Sequence, residues 1–170
     1  MNPVLERWNR LSPEDAEKEI LPCCGSNAWA RELAKRRPLQ NPDLLLAASD
    51  QIWRGLCPSD WLEAFSKHPR IGERQAPPAA SGQSAAWSAQ EQQTIGTAVE
   101  SIREALAEAN REYERRFGRT FIVCATGKLA PEMLDILGRR LHNDEATELR
   151  EAAEEQRKIT NLRLQKWLAT

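Results

Sequence analysis

One run of the sequence, RTFIVCATG at 119–127, carries the adjoining Phe, Ile, Val and Cys of a β-strand, and no second run could pair with it. A sheet needs at least two strands, so a lone strand-like run leaves helices to build the core. The N–H and C=O groups of such a buried extended segment must then find side chains, water or a ligand in place of a ladder. The expected fold is an all-α, single-domain bundle of about seven to eight helices over residues 1–170, with one short extended segment near 121–125.

The helix starts are written in capping residues. Ser12-Pro13-Glu14-Asp15 and Asn41-Pro42-Asp43 each set a capping side chain before a proline at the first helical position, with carboxylates toward the positive helix end. They predict helices over 13–21 and 42–55. SNAWARELAK reads as a helix with Ala28, Leu33 and Ala34 inward, ended by RRP at 36–38. PSDWLEAFSK at 58–67, with Trp61, Leu62 and Phe65 inward, runs directly into His68. From Pro69 to Ala86 the chain holds Gly72, Pro77-Pro78 and Gly82, a composition for a loop of about 18 residues, longer than compact domains usually carry. A long helix is expected from Ser88 to Phe117, because Ile95, Val99, Ile102, Leu106, Ala109, Tyr113 and Phe117 recur at spacings of three and four. Pro131 opens a helix to about His142, and Asn143 caps a last one to about Trp167. On that last helix Leu149, Ala152 or Ala153, Gln156, Thr160, Arg163 and Trp167 share one stripe.

Charge excludes two classes of partner. Lys+Arg total 24 against 25 Asp+Glu, a net charge of -1, so no global field draws nucleic acid or an anionic membrane. The start MNPVLERWNR lacks a signal-peptide core, and no stretch approaches the ~18–20 apolar residues of a membrane span. Cys23, Cys24, Cys57 and Cys124 make no C-x-x-C pair and have no histidines nearby, which argues against zinc and suits a reducing compartment. The expectation is a soluble cytoplasmic protein.

Several residues invite chemistry, each with a plainer role beside it. Ser88-Ala89-Gln90-Glu91 has the pattern of a capping box, yet a helix N-terminus there would also suit an anionic or carbonyl-bearing ligand, with Gln92 able to read an amide. Arg163 falls on the buried stripe, either covering apolar surface with its stem or clamping a carboxylate or carbonyl. His142 in the last turn of its helix complements the helix dipole, beside Arg139, Arg140 and Asp144 on what reads as a solvated surface. Cys124 reads as a small buried hydrophobe, and Cys23-Cys24 as space filling. His68 differs: it follows a helix, precedes a proline that fixes the backbone, and borders the loop. Its ordinary pKa of about 6.5 suits proton transfer at neutral pH. On pattern alone a loop histidine and a catalytic one are equally open.

Taken in order, HPRIGE at 68–73, SAQEQ at 88–92 with Gly96 beyond it, YERRFGRTFIVCATG at 113–127, RRLHN at 139–143 and KITNLRLQ at 158–165 resemble the 2-oxo-4-hydroxy-4-carboxy-5-ureidoimidazoline (OHCU) decarboxylase family. The resemblance spans positions 12 to 168. It implies an all-helical decarboxylase without cofactor or metal, usually a homodimer, acting on a small molecule in the third step from urate to (S)-allantoin. It also implies His68 as catalytic acid/base with Glu91 beside it, and substrate contacts from Pro69, Ser88, Gln92, Arg163 and the backbone of Ile122, Val123, Cys124, Ala125 and Thr126. The family often has Asp and Leu where this chain has Arg70 and Ile71, and the end KWLAT lacks the peroxisomal address of some relatives. Two rival readings are a ring-opening hydrolase using His68 and Glu91 on a water, and a non-enzymatic helical interaction module.

Overall fold

The computed structural model describes residues 2–72, 81–93 and 100–170. Among them the chain is helical without strands: α1 (Pro3–Asn9), α2 (Pro13–Ile20), a 3₁₀ turn (Leu21–Cys23), α3 (Asn27–Lys35), α4 (Pro42–Gly55), α5 (Pro58–Phe65), α6 (Gly82–Glu91), α7 (Glu100–Phe117), α8 (Ala130–Arg140) and α9 (Glu145–Leu168). The all-α expectation holds. The chain divides into two compact units, Met1–Ala64 with Arg157–Thr170, and Phe65–Gln156.

In the first unit the expected caps form. The Ser12 hydroxyl accepts from Asp15 N at 3.1 Å, and the Asn41 side chain accepts from Leu44 N at 2.9 Å. Trp8 and Trp29 are fully buried, and their indole N–H groups donate to Ala16 O at 3.0 Å and Ser49 Oγ at 3.2 Å. Buried tryptophans are stable only with such partners, since each ring brings a polar N–H inside with its apolar area. Arg37 of the RRP turn lies over Trp8 and donates to Trp8 O at 2.8 Å and Leu11 O at 2.9 Å. Two inward assignments change. On α3 Trp29 and Ala30 join Leu33 and Ala34 in the core while Ala28 stays half-buried, because the larger ring takes the buried register. On α5 Leu62 is 41% exposed and Ala64 is the buried neighbour of Phe65.

The core of the second unit gathers Ile71, Leu106, Tyr113, Phe117, Phe121, Val123, Met133 and Leu137. Tyr113 packs between Phe117 and Phe121, with ring centroids 4.7 and 5.2 Å away. Several local expectations fail here. Ser88 does not open a helix: α6 begins six residues earlier, where the Ser81 hydroxyl accepts from Ser84 N at 3.1 Å, and Ser88 lies buried near its C-terminal end. Ala85 and Ala86 favour helix, and Ser84 and Ser88, four apart, share its buried face, so tertiary burial outweighs the Gly-Ser composition of a loop. The expected helix from Ser88 to Phe117 is accordingly divided into the end of α6 and the whole of α7. Ile95, Gly96, Val99, Glu73 and Pro77-Pro78 lie outside the described residues.

The others concern α8 and α9. α8 stops at Arg140, leaving His142 exposed in the following turn, and Asp144 rather than Asn143 caps α9 by accepting from Thr147 N at 2.8 Å. Arg140, expected on a solvated surface, is fully buried. Its guanidinium pairs with the equally buried Glu148, which also accepts from Tyr113 Oη at 2.5 Å. Burial of an arginine requires such a carboxylate, because an unpaired charge in the interior is costly.

Candidate functional site

His68 follows α5 by three residues, in a turn closed by its N–H donating to Phe65 O at 3.1 Å. The ring is 8% exposed, and its Nε2 lies 2.7 Å from Gln156 Oε1. Pro69 behind it is buried. The next three residues are each held. Arg70 pairs with Glu114 at 2.5 and 2.9 Å, Ile71 O accepts from Asn110 Nδ2 at 2.9 Å, and Gly72 N donates to Gln92 Oε1 at 3.0 Å. Gly72 has φ +88°, a left-handed turn that L side chains resist and glycine takes freely. The HPRIG stretch is therefore a clamped turn that holds an imidazole in place. The Arg70 pair is largely solvent-exposed and contributes less to that clamp than the buried amide of Asn110.

The extended run finds side-chain partners, as a strand without a ladder must. Cys124 N donates to Glu155 Oε2 at 2.8 Å, Ile122 O accepts from Arg140 Nη1 at 2.6 Å, and Cys124 O accepts from Lys128 Nζ at 2.7 Å. Phe121 to Ala125 are buried and Thr126 is exposed. Three backbone groups of Ile122 and Cys124, expected to face a ligand, are thus engaged by the protein itself. Burial pushes the Cys124 thiol pKa up, Lys128 opposes this, and the charges of Glu155 and Glu91 add to the rise.

Glu155 and Gln156 are consecutive on α9, so one turn of one helix fastens both the extended run and the His68 ring. Sequence reasoning placed Gln156 on the buried stripe but gave it no part in the site. The available signal was a polar amide three residues beyond a buried alanine pair, Ala152-Ala153, on a stripe read as inward-facing. Arg140 and Glu155 were missed for the same reason, since the groups they satisfy are distant in sequence.

The remaining expected residues divide. Ser88 and Glu91 lie on α6 one turn or less from its end, and Gln92 is its C-cap, so the helix N-terminus expected to favour an anion is not there. Ser88 O accepts from Gln92 N at 3.2 Å, which directs the Gln92 side chain toward Gly72. Arg163 belongs to the other unit, 1% exposed, with Nη1 3.5 Å from Pro22 O. There its charge draws the Cys23 and Cys24 thiol pKa values down against burial, which still pushes Cys24 up to about 12. A cavity of about 360 Å³ opens beside Ile71, Gly72, Leu106 and Asn110, with Arg103 and Glu104 at its charged wall. Among the described residues no group of three His, Cys, Asp or Glu is arranged to hold a metal ion, and no helix is long and apolar enough to cross a membrane.

The sequence pattern of the OHCU decarboxylase family matches residues 9–165. The chain is 39% identical over 157 residues to the uric acid degradation bifunctional protein TTL of Arabidopsis thaliana, a match covering 92% of this chain and 48% of that protein. It is 27% identical over 165 residues to the 2-oxo-4-hydroxy-4-carboxy-5-ureidoimidazoline decarboxylase of Haloferax volcanii, covering 95% and 94% of the two chains. It also superimposes on the crystal structure of an OHCU decarboxylase in the presence of (S)-allantoin, with TM-score 0.77 and 37% identity, over 89% of this chain and 98% of that one. The chain thus spans about half the length of the Arabidopsis relative and nearly all of the Haloferax one.

Proposed function

The chain belongs to the OHCU decarboxylase family, and we propose that it converts OHCU to (S)-allantoin in urate degradation, with His68 as the proton-transfer group. The observation that carries this is the buried His68 ring held against Gln156 at 2.7 Å, one residue from the Glu155 that anchors the extended run. A rigid imidazole of limited exposure can exchange protons with a bound substrate without exchanging them freely with water.

The substrate's own bonds make the chemistry accessible. The carboxylate leaves from a ring carbon that bears a hydroxyl, and the electron pair of the broken C–C bond moves into the adjacent C=N, whose nitrogen takes a proton from solvent. Carbon dioxide departs and an enol remains. The C=N is the electron sink that pyridoxal or thiamine supplies to other decarboxylations. In the second step His68 takes the enol O–H proton, the carbonyl forms, and the imidazolium returns a proton to the ureido-bearing carbon. Delivery from one side gives a single hand of product.

Glu91 orients the hydroxyl and favours the charged imidazole, and Arg163 holds a substrate carbonyl through its guanidinium fork. Pro69, Ser88, Gln92 and the 122–126 backbone, apart from the Ile122 and Cys124 groups already held by Arg140, Glu155 and Lys128, complete the substrate contacts in this reading. Cys124 contributes packing, since burial keeps its thiol protonated. A homodimeric state and a cytoplasmic location belong to the same reading, tested by sedimentation and by cell fractionation. Supplying freshly made OHCU and following carbon dioxide release tests the reaction. Release faster than the uncatalysed decay supports it, and ring opening without carbon dioxide contradicts it in favour of a hydrolase.

A further inference from the structure

We propose that Gln156 is a positioning residue that fixes the tautomer of His68, holding the proton on Nε2 and making Nδ1 the nitrogen that exchanges protons with substrate. The inference rests on the reading of His68 as the proton-transfer group. Gln156 Oε1 is a carbonyl oxygen and can only accept, so the Nε2 atom 2.7 Å from it must carry the hydrogen. Gln156 is fully buried and His68 is 8% exposed, so water competes weakly for either atom.

The amide has little freedom to follow a turning ring. Ala152 and Ala153, four and three residues earlier on α9, are buried. Glu155, next to Gln156, is tied to Cys124 N at 2.8 Å. On the histidine side, the His68 N–H bond to Phe65 O and the buried Pro69 fix the backbone from which the ring projects.

An amide suits this task better than a carboxylate. Nε2 carries hydrogen in both the Nε2–H neutral ring and the imidazolium, so the bond to Gln156 persists through the cycle. The ring can take a proton at Nδ1 and return it from Nδ1 without rotating. A carboxylate at the same place would favour the cation and hold the proton that must be delivered.

The chain has two histidines, so [¹⁵N]histidine labelling gives two sets of ring signals, with exposed His142 as the internal reference. Two-bond ¹H–¹⁵N spectra above the titration range are expected to show His68 as the Nε2–H tautomer in wild type. Gln156→Met, of similar length without the acceptor, is expected to mix the tautomers and lower kcat about tenfold or more with KM within about twofold, part of the 10²- to 10⁴-fold that acid/base assistance supplies. Gln156→Glu, which keeps an acceptor, is expected to restore the Nε2–H form. An Nδ1–H tautomer in wild type overturns the proposal, as does a Gln156→Met protein that keeps both the tautomer and kcat. If Gln156→Met does not fold by circular dichroism, the wild-type and Gln156→Glu spectra decide alone: Nε2–H in both supports the proposal and Nδ1–H in either overturns it. Loss of the tautomer assignment while His68→Asn still abolishes turnover defeats this proposal only; full turnover by His68→Asn defeats the parent reading.

Discussion

Arg140 of α8 and Glu148 of α9 form an ion pair with neither side chain reaching solvent, and each has a further partner. Tyr113 donates to Glu148 at 2.5 Å, and Arg140 donates to Ile122 O at 2.6 Å. The pair therefore joins the core of its unit to the extended run.

Removing one partner strands a buried charge, which typically costs about 3–5 kcal/mol, whereas replacing both with apolar groups is often nearly neutral. Arg140→Met and Glu148→Leu are each expected to lose stability on that scale in urea denaturation, and the double variant to be closer to wild type than either. A single variant within about 1 kcal/mol of wild type would contradict the role given to the pair.

Glu155→Ala removes the acceptor of Cys124 N and leaves a buried donor unpaired, at a cost of about 1–3 kcal/mol. Both stability and turnover are expected to fall, because the run and the helix turn that holds His68 are fastened together. Faster hydrogen exchange at Cys124 is the direct readout. Unchanged exchange there would show that Glu155 does not hold the run.

Acid weakens the fold through partnered carboxylates. The hydrogen bond from Arg139 is the main cause that holds the Glu151 carboxyl below its ordinary value of 4.5, with burial opposing it and Asn143 and Arg140 assisting. A lowered folded pKa means that this stabilisation is present above the unfolded value and is lost as pH falls through the folded one. The Glu151→Gln variant is therefore expected to be less stable than wild type near pH 7, by under about 1 kcal/mol for a solvent-screened pair, and to match it well below pH 4. A difference that grows on acidification would reverse the sign and contradict the assignment.

Thiol reactivity should follow burial. Cys57 is exposed, while Cys23, Cys24 and Cys124 are buried with thiol pKa values pushed up chiefly by burial. Iodoacetamide at neutral pH is expected to label Cys57 alone in the folded protein, and all four cysteines after denaturation, as read by peptide mass spectrometry. Labelling of Cys124 at the rate of Cys57 would contradict its burial.

What could be read in the sequence was local. Ser12-Pro13 and Asn41-Pro42 named their helix starts because cap, proline and acidic first turn act within four residues. The stripe from Ala152 to Trp167 was legible because helical periodicity repeats along one element, and buried Gln156 and Arg163 lie on it. The unpartnered FIVCA run announced that its backbone needed partners outside a ladder, but not whether side chains, water or a ligand would supply them, and Glu155, Lys128 and Arg140 hold three groups expected to face a ligand. Ser88 misled because a capping-box pattern carries no information on whether an earlier cap, here Ser81, has already opened the helix. Arg140 misled because two arginines at a helix end are ordinarily solvated, and its Tyr113 and Ile122 neighbourhood assembles only in the fold. Gln156 lies 88 positions from His68, beyond any spacing rule.

The central claim is tested most directly by the handedness of the product. Uncatalysed protonation of a planar enol takes either face equally, so product formed without control by protein is racemic. Polarimetry of allantoin from fresh OHCU is expected to show optically active (S)-allantoin with wild type. With His68→Asn, turnover is expected to fall by about 10²- to 10⁴-fold, the scale of general acid/base assistance, leaving racemic product. Racemic allantoin from wild type, or optically active allantoin at the wild-type rate from His68→Asn, would contradict it.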